Sequence, residues 1–325
     1  FYDDQNILTD AYDIRATKMT PMHILVGKFD YANKPNDKTT IEMGLKATAI
    51  SFDNDNIVEE DQCNGWELAP LFSSITEMDE DIFAAYTAYA YQLSDKTDFK
   101  LGLRYEFTDA NLGSEIMPNI VDNQYGNLFS SLFVNTKLND NNSVQFSYRR
   151  SIQRPSFRQL APWFIFVDPT TILTGNPELQ PSISNDLRAN ISVKTLQFAL
   201  QYTYTKDPIG RFQPNIDFEE NIQINGAKNF VDSHLGSATL SFPININNNW
   251  DIRTSWTTMA VRFNDMVDGE SIVYDQFSWY MNGSINYRLP KDFSLELAGR
   301  YNSAARTGAV SWQSSNSIDF GIQKK

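Results

Sequence analysis

One cysteine, Cys63, and two histidines, His23 and His234, are all that 325 residues offer of the side chains that most often build metal centres and nucleophilic sites. An internal disulfide and a multi-cysteine metal site are thereby excluded. The histidines lie far apart, each in a strand-like segment, so neither zinc nor histidine-based catalysis is expected and no cofactor is implied. Basic side chains are the minority, 27 against 40 Asp and Glu, and the net charge of −13 argues against a nucleic-acid partner. No apolar run approaches the roughly 20 residues that a membrane-spanning helix needs. Residues 1–10 lack the basic start and apolar run of a signal peptide, so the N-terminus is read as missing. Only 15 glycines and 13 prolines punctuate the chain, and no stretch keeps a helical period for long. The expectation is one continuous all-β unit.

Aromatic residues are plentiful, at 13%, in a chain that is polar as a whole. The clearest strand explains how both hold. From Phe99 to Thr108, Phe99, Leu101, Leu103, Tyr105 and Phe107 alternate with Lys100, Gly102, Arg104, Glu106 and Thr108, giving one apolar and one charged face. The split recurs with Leu196, Phe198, Leu200, Tyr202 and Tyr204, with Trp279, Met281, Ile285, Tyr287 and Leu289, and with Phe293, Leu295, Leu297 and Tyr301. About thirteen such strands are legible, more than a sandwich holds. Short turns at 94–97, 139–142, 194–195, 245–249 and 290–292 take turns with long polar connections at 53–81, 108–125, 152–184, 206–229 and 264–274. Short turns at one end and long loops at the other, with aromatics such as Trp279, Tyr280, Tyr287, Phe293 and Tyr301 near strand ends, describe an antiparallel transmembrane β-barrel with short periplasmic turns and long extracellular loops. The acidic stretches 53–61 and 79–81 read as solvated loop, because they lack the glycine and spaced glutamate of a calcium loop.

Residues 147–181 read SYRRSIQRPSFRQLAPWFIFVDPTTILTGNPELQP. Through Arg149, Arg150, Ile152, Gln153, Arg154 and Pro155, then Leu160, Pro162, Asp168 and Pro169, then Gly175, Asn176, Pro177, Leu179 and Pro181, this segment resembles the barrel region of TonB-dependent receptors and related outer-membrane barrel proteins of Bacteroidetes-type bacteria. Ser182 departs from the pattern, since many relatives carry a carboxylate there. The resemblance implies that residues 1–325 are one partial barrel domain, with a plug and both barrel ends outside the sequence. A 22-stranded barrel would leave roughly nine strands beyond it. It also implies an outer-membrane location, contact with lipid and lipopolysaccharide, a TonB-type energising partner engaged through the missing N-terminal region, and a surface lipoprotein as a further partner.

Pro155 cannot donate to a ladder and ends its strand, and Gly175-Asn176-Pro177 turns the chain back. Between them lie Trp163, Phe164, Phe166 and Asp168, which the resemblance implies are ligand-binding residues, with packing against the barrel wall as the competing role. No Ser/His/acid arrangement is available, so an enzyme is not expected. The resemblance implies ligand capture and energised import of an unidentified small ligand. A structural or adhesive barrel and a passive porin-like channel are the alternatives.

Overall fold

The computed structural model describes residues 13–61, 65–70, 73–161, 164–168, 171–217, 222–267, 269–307 and 310–324, so Cys63 and Trp163 lie outside the described residues. In chain order the strands are β1 (Ile14–Met19), β2 (Met22–Asn36), β3 (Thr39–Asp61), β4 (Trp66–Leu68), β5 (Ser74–Gln92), β6 (Thr97–Gly113), β7 (Val121–Asn139) and β8 (Asn142–Gln153). A short helix α1 (Phe157–Leu160) follows, then β9 (Phe164–Asp168), β10 (Thr171–Thr174), β11 (Ser182–Val193), β12 (Leu196–Lys206), β13 (Ile209–Asp217) and β14 (Ile222–Asn229). The chain continues through β15 (Asp232–Asn247), β16 (Trp250–Val267), β17 (Glu270–Arg288), β18 (Phe293–Asn302), β19 (Ala305–Thr307), β20 (Val310–Trp312) and β21 (Ser315–Lys324).

Fifteen of these strands form one antiparallel wall, thirteen of them in the order β1-β3-β5-β6-β7-β8-β11-β12-β15-β16-β17-β18-β21, with β2 and β4 also paired to β3. Both β1 and β2 pair with β3 in one unbroken register, Met19 opposite Asp55 and Met22 opposite Phe52, so they are a single strand interrupted at Thr20-Pro21. Pro21 cannot donate, but its carbonyl still accepts from the Asp53 amide at 3.2 Å. The wall therefore has thirteen positions, as the alternation predicts, and among the described residues its two edge strands do not pair with each other.

Parity along each strand separates two surfaces. Phe29, Leu45, Leu101, Leu103, Tyr105, Leu128, Trp256, Met281 and Leu297 are all exposed on one face. An apolar row left uncovered across adjacent strands is a lipid-facing surface. Aromatic pairs mark its limits. On the short-turn side Tyr91 contacts Phe99 at 5.8 Å between ring centroids, and Trp250 contacts Tyr287 at 4.5 Å. On the other side Trp279 contacts Tyr301 at 4.6 Å. Phe99 and Phe107 are eight positions apart. At about 3.4 Å per residue that is roughly 27 Å of strand, and a tilt of about 40° leaves some ~20 Å of height, close to the ~25 Å apolar band of such barrels. Tyr280 departs from the expected girdle. It is opposite the buried Thr257, on the inner face.

Beyond the girdle the strands do not stop. Residues 53–61 lie within β3 and 79–81 within β5, where solvated loop was expected, and β16 and β17 meet in a two-residue turn where residues 264–274 were expected to be a long connection. Gly269 closes that turn at φ +82°. The outer face here carries Asp81 opposite Asp109, and Asp53 opposite Glu77. Facing carboxylates repel one another and are tolerated only in water. The outer face is wet and the inner face, covered by protein, mixes polar Asn54, Asn56 and Thr76 with apolar Phe52, Val58 and Met78, so apolar–polar alternation vanishes although the ladder continues, which is why these stretches read as loops.

Candidate functional site

The extended upper wall encloses a folded mouth, built from the segment between β8 and β11 and from β13 and β14. On the inner face Phe52 is opposite Met78, Met78 opposite Leu112, and Leu112 opposite Val121, a four-strand apolar row in register. Leu160, Ala161 and Leu179 pack onto it, and Phe157 meets Phe52 edge-on at 4.4 Å. Leu160, Ala161 and Leu179 of the segment that sequence reasoning placed at the mouth are thus turned inward and buried on the wall.

Arg154 pins the root of this segment. Its Nη2 donates to Glu106 Oε2 at 2.7 Å and to Thr108 Oγ1 at 2.8 Å, its Nε lies 3.6 Å from Glu80, and its guanidinium sits over the Tyr125 ring. Glu106 also accepts from Arg104 Nε at 2.6 Å, and Arg104 lies over Tyr86, whose hydroxyl donates to Asp30. Lys28 pairs with Asp30 at 2.7 Å. A charged chain therefore crosses the inner wall from β2 to β8. At Glu80, above the lipid band, burial pushes the carboxyl above its ordinary value and nearby Arg154 partly offsets this.

The motif at 175–181 is a clasp. A Cβ on Gly175 would stand 2.0 Å from the Ala161 carbonyl oxygen, so the backbone approach requires glycine. The Asn176 amide donates to the Gln159 carbonyl at 2.6 Å, while its side-chain Nδ2 donates to the Ala227 carbonyl at 3.1 Å. Leu179 is buried, and the Gln180 amide donates to Asn229 Oδ1 at 2.8 Å. Ser182 is buried and donates to the Asp207 carbonyl at 2.7 Å. Arg149 and Arg150 continue β8 opposite Asp186 and Asn185, and Gln153 is opposite Ser182.

Of the expected ligand residues, Phe164, Phe166 and Asp168 lie on β9, opposite Thr174, Ile172 and Thr171 of β10. A second group was not foreseen. A cleft of about 330 Å³ lies between α1 and the small sheet β13-β14-β10-β9, lined among the described residues by Ser156, Arg158 and Gln159 at α1 and by Leu173, Thr174, Arg211, Asn225, Gly226 and Ala227 of the sheet strands and their connections. It forms because β10 and β14 pair in parallel, Leu173 opposite Asn225, a long-range union that local pattern does not announce. Two arginines flanking apolar strand residues were the available signal. Among the described residues no cluster of His, Cys, Asp and Glu could hold a metal ion.

The wall matches solved outer-membrane structures. The ferric yersiniabactin uptake receptor FyuA from Yersinia pestis superimposes with a TM-score of 0.62 at 13% identity, over 95% of this chain and 47% of that one. The copper transporter OprC gives 0.67 at 13% identity over 94% and 49%, and the FrpB iron transporter from Neisseria meningitidis 0.61 at 13% over 94% and 49%. The chain thus spans about half the length of these structures. Among curated proteins no sequence relative is found. The model of the outer membrane protein β-barrel family matches residues 1–325. The chain belongs to that family and is a β-barrel wall of the bacterial outer membrane.

Proposed function

We propose that this wall is the barrel of a receptor that binds a small ligand at its mouth and imports it with TonB-type energy coupling. The observation that carries the reading is the folded mouth itself. A passive channel needs an open lumen, whereas here a segment of about thirty residues leaves the wall, turns inward and is held by Arg154 and an apolar core. A concave, structured mouth above a lipid-embedded wall suits capture. The solved structures with the same wall fold are described as a ferric yersiniabactin uptake receptor and as copper and iron transporters, which supports a scarce metal complex as cargo. Phe164, Phe166 and Asp168, with Trp163 before them, remain the proposed ligand contacts on β9. The motif from Arg149 to Pro181 supports an origin in Bacteroidetes-type bacteria and a surface lipoprotein as partner.

A non-transporting barrel is the second reading, favoured by Gly175, Asn176 and Leu179 of the clasp, which are used for packing and backbone bonds. The two part on one experiment. Cells carrying the full-length protein should accumulate labelled ligand only while the membrane is energised and the TonB-type protein is present. Uptake that persists without either means a passive channel, and surface binding with no uptake means an anchor.

A further inference from the structure

Arg150 stands on the lipid-facing side of β8. It is opposite Asn185, and Tyr148 is opposite Leu187, on the row of β11 that exposes Leu187, Ile191 and Val193. Strand parity puts its neighbour Arg149 on the other face, toward the lumen. Asn185 stands eight positions from Val193 at the short turn, the same span as Phe99 to Phe107. Roughly 27 Å of strand and ~20 Å of height therefore place Arg150 at the mouth-side rim of the apolar band.

The same tier runs along the wall, with Asn185 opposite Tyr204, Tyr204 opposite His234 and His234 opposite Arg262. Its tyrosines carry their polar tips here, as girdle rings do: Tyr148 donates to Asn185 Oδ1 at 2.9 Å, and the Tyr202 hydroxyl meets His234 Nδ1 at 2.8 Å. The other basic side chains of the tier have acids beside them. Arg262 pairs with Asp275 at 2.7 Å, and His234 lies 3.6 Å from Asp232. Arg150 has neither a hydrogen bond nor an ion pair among the described residues. Its outward neighbours are Ser130, Tyr148, Ile152, Ile183, Asn185 and Leu187, none of them acidic. The wall covers Nε, which finds no acceptor there, whereas Nη1 and Nη2 stay uncovered.

A guanidinium is a planar fork of donors that always carries its charge, and hydrocarbon offers it no acceptor. At the rim the acceptors are headgroup oxygens, and a phosphate matches the fork in both geometry and charge. Asn185 Oδ1 is taken by Tyr148, which leaves Asn185 Nδ2 to donate alongside. We infer that Arg150, with Asn185, is a binding site for the phosphate of an anionic lipid headgroup in the leaflet on the mouth side. The site needs only a wall that faces lipid, so it stands or falls independently of import.

The test is native mass spectrometry of the full-length protein in detergent, titrated with phosphatidic acid and, separately, with phosphatidylcholine. The first phosphatidic acid should bind at least about fivefold more tightly than the first phosphatidylcholine, as expected for one cation at an anionic headgroup. Arg150→Gln should remove that preference and Arg150→Lys should keep part of it. Arg188→Gln, which takes the same charge from the lumenal face of β11, should leave it unchanged. Because the Arg150 guanidinium makes no bond within the wall, Arg150→Gln should keep its folded electrophoretic mobility. A wild-type protein without the preference overturns the inference, and so does a folded Arg150→Gln protein that retains it. Calorimetric titration with inorganic phosphate separates the two sources of the anion. Heat that disappears in Arg150→Gln, without any preference for phosphatidic acid, assigns the site to a free anion and overturns the lipid assignment.

Discussion

Arg154→Gln should open the mouth without unfolding the barrel. The substitution removes two short bonds, to Glu106 at 2.7 Å and Thr108 at 2.8 Å, and the weaker link to Glu80 at 3.6 Å. Breaking a fully buried pair costs about 3–5 kcal/mol. The Arg154 side chain is 19% exposed and its two carboxylate partners 13% and 14%, and Glu106 keeps Arg104, so about 2–3 kcal/mol is the better expectation. The loss is local, because the wall ladders do not depend on Arg154. It should raise the open population of residues 156–181 roughly 30- to 150-fold. Limited proteolysis of intact cells reads this directly, with cleavage inside the segment rising while the barrel keeps its heat-modifiable mobility. Adding Glu80→Gln should restore about 1 kcal/mol, since the carboxylate left unpaired is then gone. The reasoning is refuted if Arg154→Gln leaves the segment as protected as before, or if barrel and mouth melt together.

Leu103→Arg should cost about 2–4 kcal/mol in refolding titrations into lipid vesicles, whereas Arg104→Gln, one residue on but facing the lumen, should cost far less; equal costs would contradict the assignment of faces. Gly175→Ala should destabilise the mouth by about 1–3 kcal/mol, read by the same proteolysis, because its Cβ meets backbone and nothing flexible can yield. For Glu80 the folded pKa is raised, so its contribution is fully present below the unfolded pKa and is lost as pH rises through the folded value. Protection of the mouth should therefore increase as pH falls through that window, and Glu80→Gln should flatten this part of the profile. An unchanged slope in the variant would mean that other groups control it.

The wall was legible because lipid imposes a period of two that water cannot imitate. Phe99 to Phe107 shows it plainly, and the same parity runs through Leu196 to Tyr204 and Trp279 to Leu289. Legibility failed where the lipid ended. In residues 74–82 of β5, Thr76, Met78 and Glu80 face the mouth while Glu77, Asp79 and Asp81 face water, and no hydropathy contrast remains to mark a strand. The motif at Arg154, Pro155 and Gly175 to Pro181 was visible as a loop boundary, but its use as a clasp depends on Ala161, Ala227 and Asn229, which sequence spacing does not bring near. Arg158 and Arg211 come together only through the parallel pairing of β10 with β14, and parallel contacts carry no local turn signature.

Collision accessibility of spin labels placed singly at each position from 99 to 113, in the full-length protein with Cys63 replaced and reconstituted in lipid, tests the central claim most directly. Labels at 99, 101, 103, 105 and 107 should collide with oxygen dissolved in the bilayer, and those at 100, 102, 104 and 106 with a water-soluble nickel complex. From 109 onward the oxygen-accessible phase should vanish on both faces while the strand continues. Absence of a period of two, or nickel access to 101, 103 and 105, would mean that the apolar row does not face hydrocarbon and that the wall is not a membrane barrel.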